Sequence, residues 1–367
     1  MKRIGIDARL YSQTGVGVYI RNLLYFLDQI ETKDIVFFVY LLDQDFKRVN
    51  FKNKSFVKKR ADCYWHTFNE QINFLKILNK DNLDLMHFTY FSFPVLYTRK
   101  YLATIHDLTL NFFKTGKAST KTKLVYELKY LAFKFTLKTQ VKKALKIITP
   151  TKTVKKDLIS YYGRKIESKT VSIYEGVNNE LISAKENSDL KTKFPGKFFI
   201  YIGNFYPHKN VENLIKAFSQ INNKDFKLIL IGPKDFFVSC LLQLINKLKQ
   251  EKKIIFYHNQ SIDDLVYFYK NAQALIHPSL SEGFGLPIVE AIYFNLPVIA
   301  SNIPVFKEIL EDQYLSFSPN DSKDIEKKIN IFMQRKSNFD YKKLIEKYSF
   351  KKMAKETFVI YENILKD

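Results

Sequence analysis

The chain has 367 residues, 46% of them hydrophobic, which is enough for two domains with separate cores and too apolar for long disorder. Its 59 Lys+Arg against 37 Asp+Glu give a net charge of +22, a field that attracts phosphate-rich partners. Cys63 and Cys240 lack the spacing of a disulfide framework or a zinc site.

Taken in order, apolar or β-branched runs at residues 3–6, 35–42, 85–88, 101–105 and 147–149 alternate with helical patterns, the signature of parallel α/β units. The opening residues read as the first strand rather than a signal peptide. The apolar runs fall far short of the roughly 20 residues that a membrane span needs, so the cytoplasm is the expected compartment. Between residues 114 and 146 stand ten lysines and one acid, Glu127, interleaved with Leu124, Leu128, Leu131 and Phe135 at helical spacing. Two readings of this helix stand: a surface for anionic lipid, or a solvated charged face over an ordinary core face. A second set of strand-like runs follows at 171–173, 198–202, 227–231, 254–257, 274–277 and 297–300. The fold class is therefore α/β, with two Rossmann-like domains. The first is expected over 1–177, a polar linker over 178–196, the second domain over 197–347, and a terminal helix over 348–367 that packs back toward the first domain.

The densest chemical signal is His277-Pro-Ser-Leu-Ser-Glu-Gly-Phe-Gly-Leu-Pro-Ile-Val-Glu-Ala291, a strand, loop and helix start in one run. Gly283 and Gly285 allow a tight turn and close approach to a ligand, and Pro287 suits the first helical turn. A helix starting near Leu286 offers a positive dipole end to a diphosphate. Glu290 is expected in the first turn and Glu282 before the glycines, so that two carboxylates flank the anion site and meet sugar and ribose hydroxyls.

Glu282, seven residues and Glu290, with Gly-Phe-Gly-Leu-Pro between, resemble the signature of family-four retaining (group 1) glycosyltransferases of GT-B fold. The resemblance extends along the chain through Ile4-Gly-Ile-Asp-Ala-Arg9, Thr14-Gly-Val-Gly-Val-Tyr19, Ile105-His-Asp-Leu108, Tyr174-Glu-Gly-Val-Asn178, Tyr201-Ile-Gly-Asn-Phe-Tyr-Pro-His-Lys-Asn210 and Leu230-Ile-Gly-Pro233. It implies two facing Rossmann-like domains with parallel sheets and the site in the cleft. It also implies residue roles: Glu290 on the ribose, Glu282 on the donor sugar, and backbone amides of Gly283, Phe284, Gly285 and Leu286 at sugar and phosphates. Lys209, after Gly203, would meet the diphosphate, His106 with Asp107 the reacting sugar, and Gly15 and Gly17 the closing phosphate loop. Asn204 stands where many relatives carry an arginine, and Val18 departs from a frequent arginine. The implied reaction is metal-independent hexose transfer with retention, and no cofactor beyond the nucleotide sugar is expected. The nearest members are bacterial mannosyltransferases, which points to GDP-mannose, a glycan or lipid-linked acceptor in surface polysaccharide synthesis, and a peripheral place on the inner face of the membrane. A UDP- or dTDP-sugar is the alternative donor.

Two other classes compete. Gly15, Gly17 and Asp43 suit an NAD-dependent oxidoreductase, but Ile20 stands where a third glycine belongs. Charge alone would suit a non-enzymatic binder of membrane or nucleic acid, yet no RNA-binding or helix-turn-helix signature accompanies it, so no nucleic-acid partner is expected. Asp43-Gln-Asp45 reads as a solvated turn.

Overall fold

The computed structural model describes residues 1–109, 123–335 and 339–366. They divide into two compact units. The first gathers residues up to 109, 123–175 and 349–366, and the second spans 176–348.

In the first unit, strands β1 (Lys2–Asp7), β2 (Ile35–Leu41), β3 (Phe56–Arg60), β4 (Leu85–Phe88), β5 (Tyr101–Thr104), β6 (Lys146–Thr149) and β7 (Thr170–Ser172) form one parallel sheet in the order 3-2-1-4-5-6-7. The central strands are buried along their length, as a sheet covered on both faces requires. An aromatic cluster of Phe88, Phe93, Tyr97 and Tyr101 fills one side, with rings meeting edge-on at 5.3–5.6 Å. The run at 171–173, read with the second set of strands though inside the first domain's expected 1–177, ends the first sheet as β7. Periodicity marks a strand but carries no information about which sheet will pair with it.

The second unit repeats the plan. Strands β8 (Lys197–Ile202), β9 (Phe226–Ile231), β10 (Ile254–Tyr257), β11 (Leu275–His277), β12 (Val298–Ser301) and β13 (Leu315–Phe317) are all parallel, in the order 10-9-8-11-12-13. The stretch read as a linker at 178–196 is part of this unit. It holds short helices Asn179–Ser183 and Leu190–Lys193, and Leu181, Leu190 and Phe194 are buried. Phe194 meets Tyr257 and Phe268 at 5.6 and 5.4 Å. Its polar composition hid three apolar anchors.

The terminal helix Phe350–Lys366 belongs to the first unit, where it lies against helix Val16–Leu27 and buries Met353, Ala354, Thr357, Tyr361 and Ile364. Helix Lys123–Lys143 buries Leu137, Gln140 and Val141, while Leu128, Leu131 and Phe135 are 59%, 60% and 62% exposed. Of the two readings of this helix, the one in which these three form a core face is overturned: the core side is taken by the next residues round the helix, and the apolar stripe faces solvent. Lys138 and Lys142 continue that stripe toward the C-terminus. Residues 114–122, including Lys121, lie outside the described residues. No described helix is long and apolar enough to cross a membrane.

Candidate functional site

In an open parallel sheet, ligands meet the carboxyl ends of the strands where the strand order reverses. In the second unit that point lies between β8 and β11, and the loops leaving these two strands carry the residues singled out by sequence. Gly203 follows β8 with φ +153°, and a side chain there would strike the Tyr201 hydroxyl. Across from it, a Cβ on Gly232 would lie 2.0 Å from the Gly203 carbonyl, so the β9 end must be glycine for the two backbones to pass. Asn204 is half-buried, and its Oδ1 has no hydrogen-bond partner among the described residues.

Lys209 ends the short turn Pro207–Lys209. The next residue, Asn210, takes a left-handed conformation, φ 59°, and its side-chain amide donates to the carbonyls of Pro278 (3.0 Å) and Pro319 (2.7 Å). Leu280 N–H donates to the His208 carbonyl at 2.8 Å. These bonds lash the β8 loop to the β11 loop and bring together residues 73 positions apart: Lys209 Nζ donates to Glu282 Oε1 at 2.7 Å. The same oxygen accepts from His277 Nε2 at 3.0 Å and Ser279 Oγ at 2.8 Å. The Glu282 side chain is 9% exposed and that of Lys209 15%. Burial alone would raise the Glu282 pKa, but the Lys209 ammonium and His277 outweigh it and hold the carboxyl well below its ordinary range.

Gly285, φ +95°, turns the chain into helix Leu286–Tyr293, with Pro287 near its start and Phe284 packed edge-on against Tyr348. The sequence expectation placed Glu290 in the first turn, facing the anion site with Glu282. It lies one turn further in, 8% exposed, and accepts from the Tyr269 hydroxyl at 2.7 Å. Burial pushes its pKa up to about 7 against the partial opposition of Tyr269. The two carboxylates therefore differ in kind, one held ionised and one poised to carry a proton near neutrality.

In the first unit, His106 is buried just past β5. Its Nε2–H donates to the Thr89 carbonyl at 2.9 Å, Nδ1 lies 3.3 Å from Glu175 Oε1, and the Tyr19 ring meets it edge-on at 4.9 Å. Burial would lower the His106 pKa, but the Glu175 carboxylate reverses the sign and raises it. Asp107 accepts from Thr109 N–H at 2.7 Å, closing a local turn. Gly15 starts helix Val16–Leu27 at φ +62°, and Gly17 is required by packing, since a Cβ there would lie 2.7 Å from the Tyr11 carbonyl. Arg9, wholly buried, pairs with Asp7 (2.7 Å) and Glu70 (2.8 Å) and pins the end of β1. Asp43 and Asp45 do not form a uniformly solvated turn: Asp43 is exposed beside Arg60, but Asp45 is buried and accepts from Ser12.

His277, Ser279, Asn210, Tyr269 and Glu175 are partners that sequence reasoning missed. His277, Ser279, Asn210 and Glu175 lay inside motifs already singled out and Tyr269 in none, but no local signal gave any of these pairings.

Residues 183–352 match the family model of glycosyl transferases group 1, a stretch almost wholly within the second unit. The O-antigen chain mannosyltransferase RfbU of Salmonella typhimurium is 27% identical over 354 residues, covering 93% of this chain and 94% of that protein. The chain resembles group 1 glycosyltransferases, and bacterial mannosyltransferases among them. An O-antigen chain mannosyltransferase B of Escherichia coli is 34% identical over a shorter stretch, 34% of this chain and 33% of that one. The GT-B fold of this chain is shared with sucrose-phosphate synthase of Thermosynechococcus elongatus (TM-score 0.77, 17% identity, 99% of both chains). It is shared too with Anabaena HepE, solved with UDP and glucose (TM-score 0.75, 15% identity, 99% of this chain and 100% of that one).

Proposed function

We propose that the chain transfers a hexose, with retention and without a metal, from a nucleotide diphosphate sugar to a glycan or lipid-linked acceptor in surface polysaccharide synthesis. The observation that carries this reading is the Lys209–Glu282 pair, 2.7 Å long, at the β8–β11 reversal and beside a helix start. On this reading the Lys209 ammonium exchanges Glu282 for the diphosphate and offsets its charge as it leaves, a task suited to a compact cation. Backbone from Gly283 to Leu286 meets the sugar and phosphates at the helix N-terminus. Glu282 accepts from a sugar hydroxyl, and Glu290 from the ribose. His106, braced by Glu175 and Thr89 within the first unit, keeps the role that the family resemblance implies for it. Retention and metal independence are expectations of the family resemblance.

Similarity to RfbU, named as an O-antigen mannosyltransferase, favours mannose from GDP-mannose. The fold shared with HepE keeps a UDP-sugar as the alternative. The exposed stripe Leu128, Leu131 and Phe135, continued by Lys138 and Lys142, favours a peripheral place on anionic membrane, where a lipid-linked acceptor would be met.

Lys209→Ala tests the central role. Turnover is expected to fall on the order of a hundredfold, the scale of removing one transition-state donor. The dissociation constant of the sugar nucleotide should change far less. Equal losses in both would make Lys209 a ground-state binder and contradict the leaving-group role.

A further inference from the structure

Three donors converge on one carboxylate oxygen. Lys209 Nζ, Ser279 Oγ and His277 Nε2 all reach Glu282 Oε1, at 2.7, 2.8 and 3.0 Å, whereas Oε2 has no hydrogen-bond partner among the described residues. An ionised carboxylate has room for about four hydrogen bonds over its two oxygens, so crowding three onto one leaves the other as the acceptor on offer. Ser279 is three residues from Glu282 and Lys209 reaches it from the β8 loop, but His277 is placed by the sheet. It ends β11, is 1% exposed, and its ring lies between Tyr201, stacked at 5.6 Å, and Phe306, edge-on at 5.4 Å. Burial lowers its pKa, which keeps the ring neutral, and a neutral ring that donates from Nε2 must carry its lone pair on Nδ1. That Nδ1 is buried and has no partner among the described residues. A residue selected for packing alone would not leave an acceptor unmet in the core; a phenylalanine would fill the same cage without that cost.

We infer that His277 is a positioning residue: it holds Glu282 with Oε1 occupied by protein donors and Oε2 free to accept from a hydroxyl of the donor sugar. The sugar half of this inference rests on the functional reading above. The histidine half is a statement about this chain alone. It also divides the labour within the cluster. Lys209 can leave Glu282 for another anion, while His277 and Ser279 keep the carboxylate oriented.

Two variants and one spectroscopic measurement test it, all on the full chain. His277→Phe keeps the ring between Tyr201 and Phe306 and removes the donor; His277→Gln restores an N–H near the same position. The expected result for His277→Phe is an unchanged melting temperature, GDP and UDP affinities within about twofold of wild type, and a kcat lower by about ten- to a hundredfold, the scale of one hydrogen bond to a charged group. His277→Gln should recover most of kcat. Full activity in His277→Phe, or an equal loss in nucleotide affinity, overturns the inference. Nitrogen-15 labelling of the histidines reads the tautomer independently of activity: His277 is expected neutral and protonated on Nε2 at pH 7. Protonation on Nδ1 overturns the positioning role whatever the kinetics. Should the Nε2–H tautomer be found while wild type turns over none of GDP-mannose, UDP-glucose or dTDP-glucose, the donor reading falls and the sugar half falls with it.

Discussion

Glu290 and Glu282 are both buried carboxylates eight positions apart, yet their surroundings give them opposite acid strengths. Glu282 meets a cation and two further donors; Glu290 meets one tyrosine hydroxyl and an apolar shell. The consequence for stability has a definite sign. Because burial raises Glu290 to about 7 from 4.5, the unfolded chain ionises first, and stability is lost as pH rises through that window. The full shift corresponds to a cost on the order of 3 kcal/mol above pH 7. Glu290→Gln removes that cost while losing the anionic acceptor. Relative to wild type, its melting temperature should rise between pH 5 and pH 8, while nucleotide affinity falls about ten- to a hundredfold. Melting curves at both pH values and a nucleotide titration check this. A variant less stable than wild type at pH 8, or one binding the nucleotide as tightly, would refute the assignment.

At the scale of elements, the loops after β8 and β11 act as one body because Asn210 ties them. Asn210→Ala would leave two carbonyls without their donor and put an alanine in a left-handed conformation, for a loss of about 2–4 kcal/mol in urea unfolding. Asn210→Gly relieves the backbone and should lose less. Equal losses would mean that the side-chain bonds alone matter. The helix Lys123–Lys143 offers a different test. Replacing Leu128, Leu131 and Phe135 by serine, or Lys134, Lys138, Lys142 and Lys143 by glutamine, should abolish sedimentation with anionic vesicles while leaving donor binding intact. Wild type that never sediments, or variants that still do, would mark the stripe as a face for something other than lipid.

Most elements were legible because buried parallel strands are short, uninterrupted apolar runs. The exceptions sit at sheet edges. Strand β3 reads Phe-Val-Lys-Lys-Arg and β13 only Leu-Ser-Phe; edge strands tolerate charge and brevity, which erases the signal. The same limit governs the site. Glu282 and Lys209 stood out in their local motifs, but that they meet is decided by β8 lying next to β11, and no local pattern encodes an adjacency 73 residues long. Helix Lys123–Lys143 misled for a related reason. Helical spacing identifies an apolar stripe without saying whether the protein covers it.

For the molecule as a whole, two units of one plan each carry their own core, and the charge of +22 surrounds both. That field favours anions in general, so affinity for phosphate by itself would say little about function. Selectivity for a sugar nucleotide says much more. The most direct measurement is the thermal shift of the full chain with GDP-mannose, UDP-glucose and dTDP-glucose, each beside an equal concentration of inorganic pyrophosphate, in wild type and Lys209→Ala. One sugar nucleotide should stabilise wild type by about 2.7 kcal/mol at a hundred times its dissociation constant, with pyrophosphate far weaker. Lys209→Ala should retain most of that shift while losing turnover. Equal shifts from all three sugar nucleotides and pyrophosphate, or no shift from any of them, would contradict a built donor site at the ends of β8 and β11.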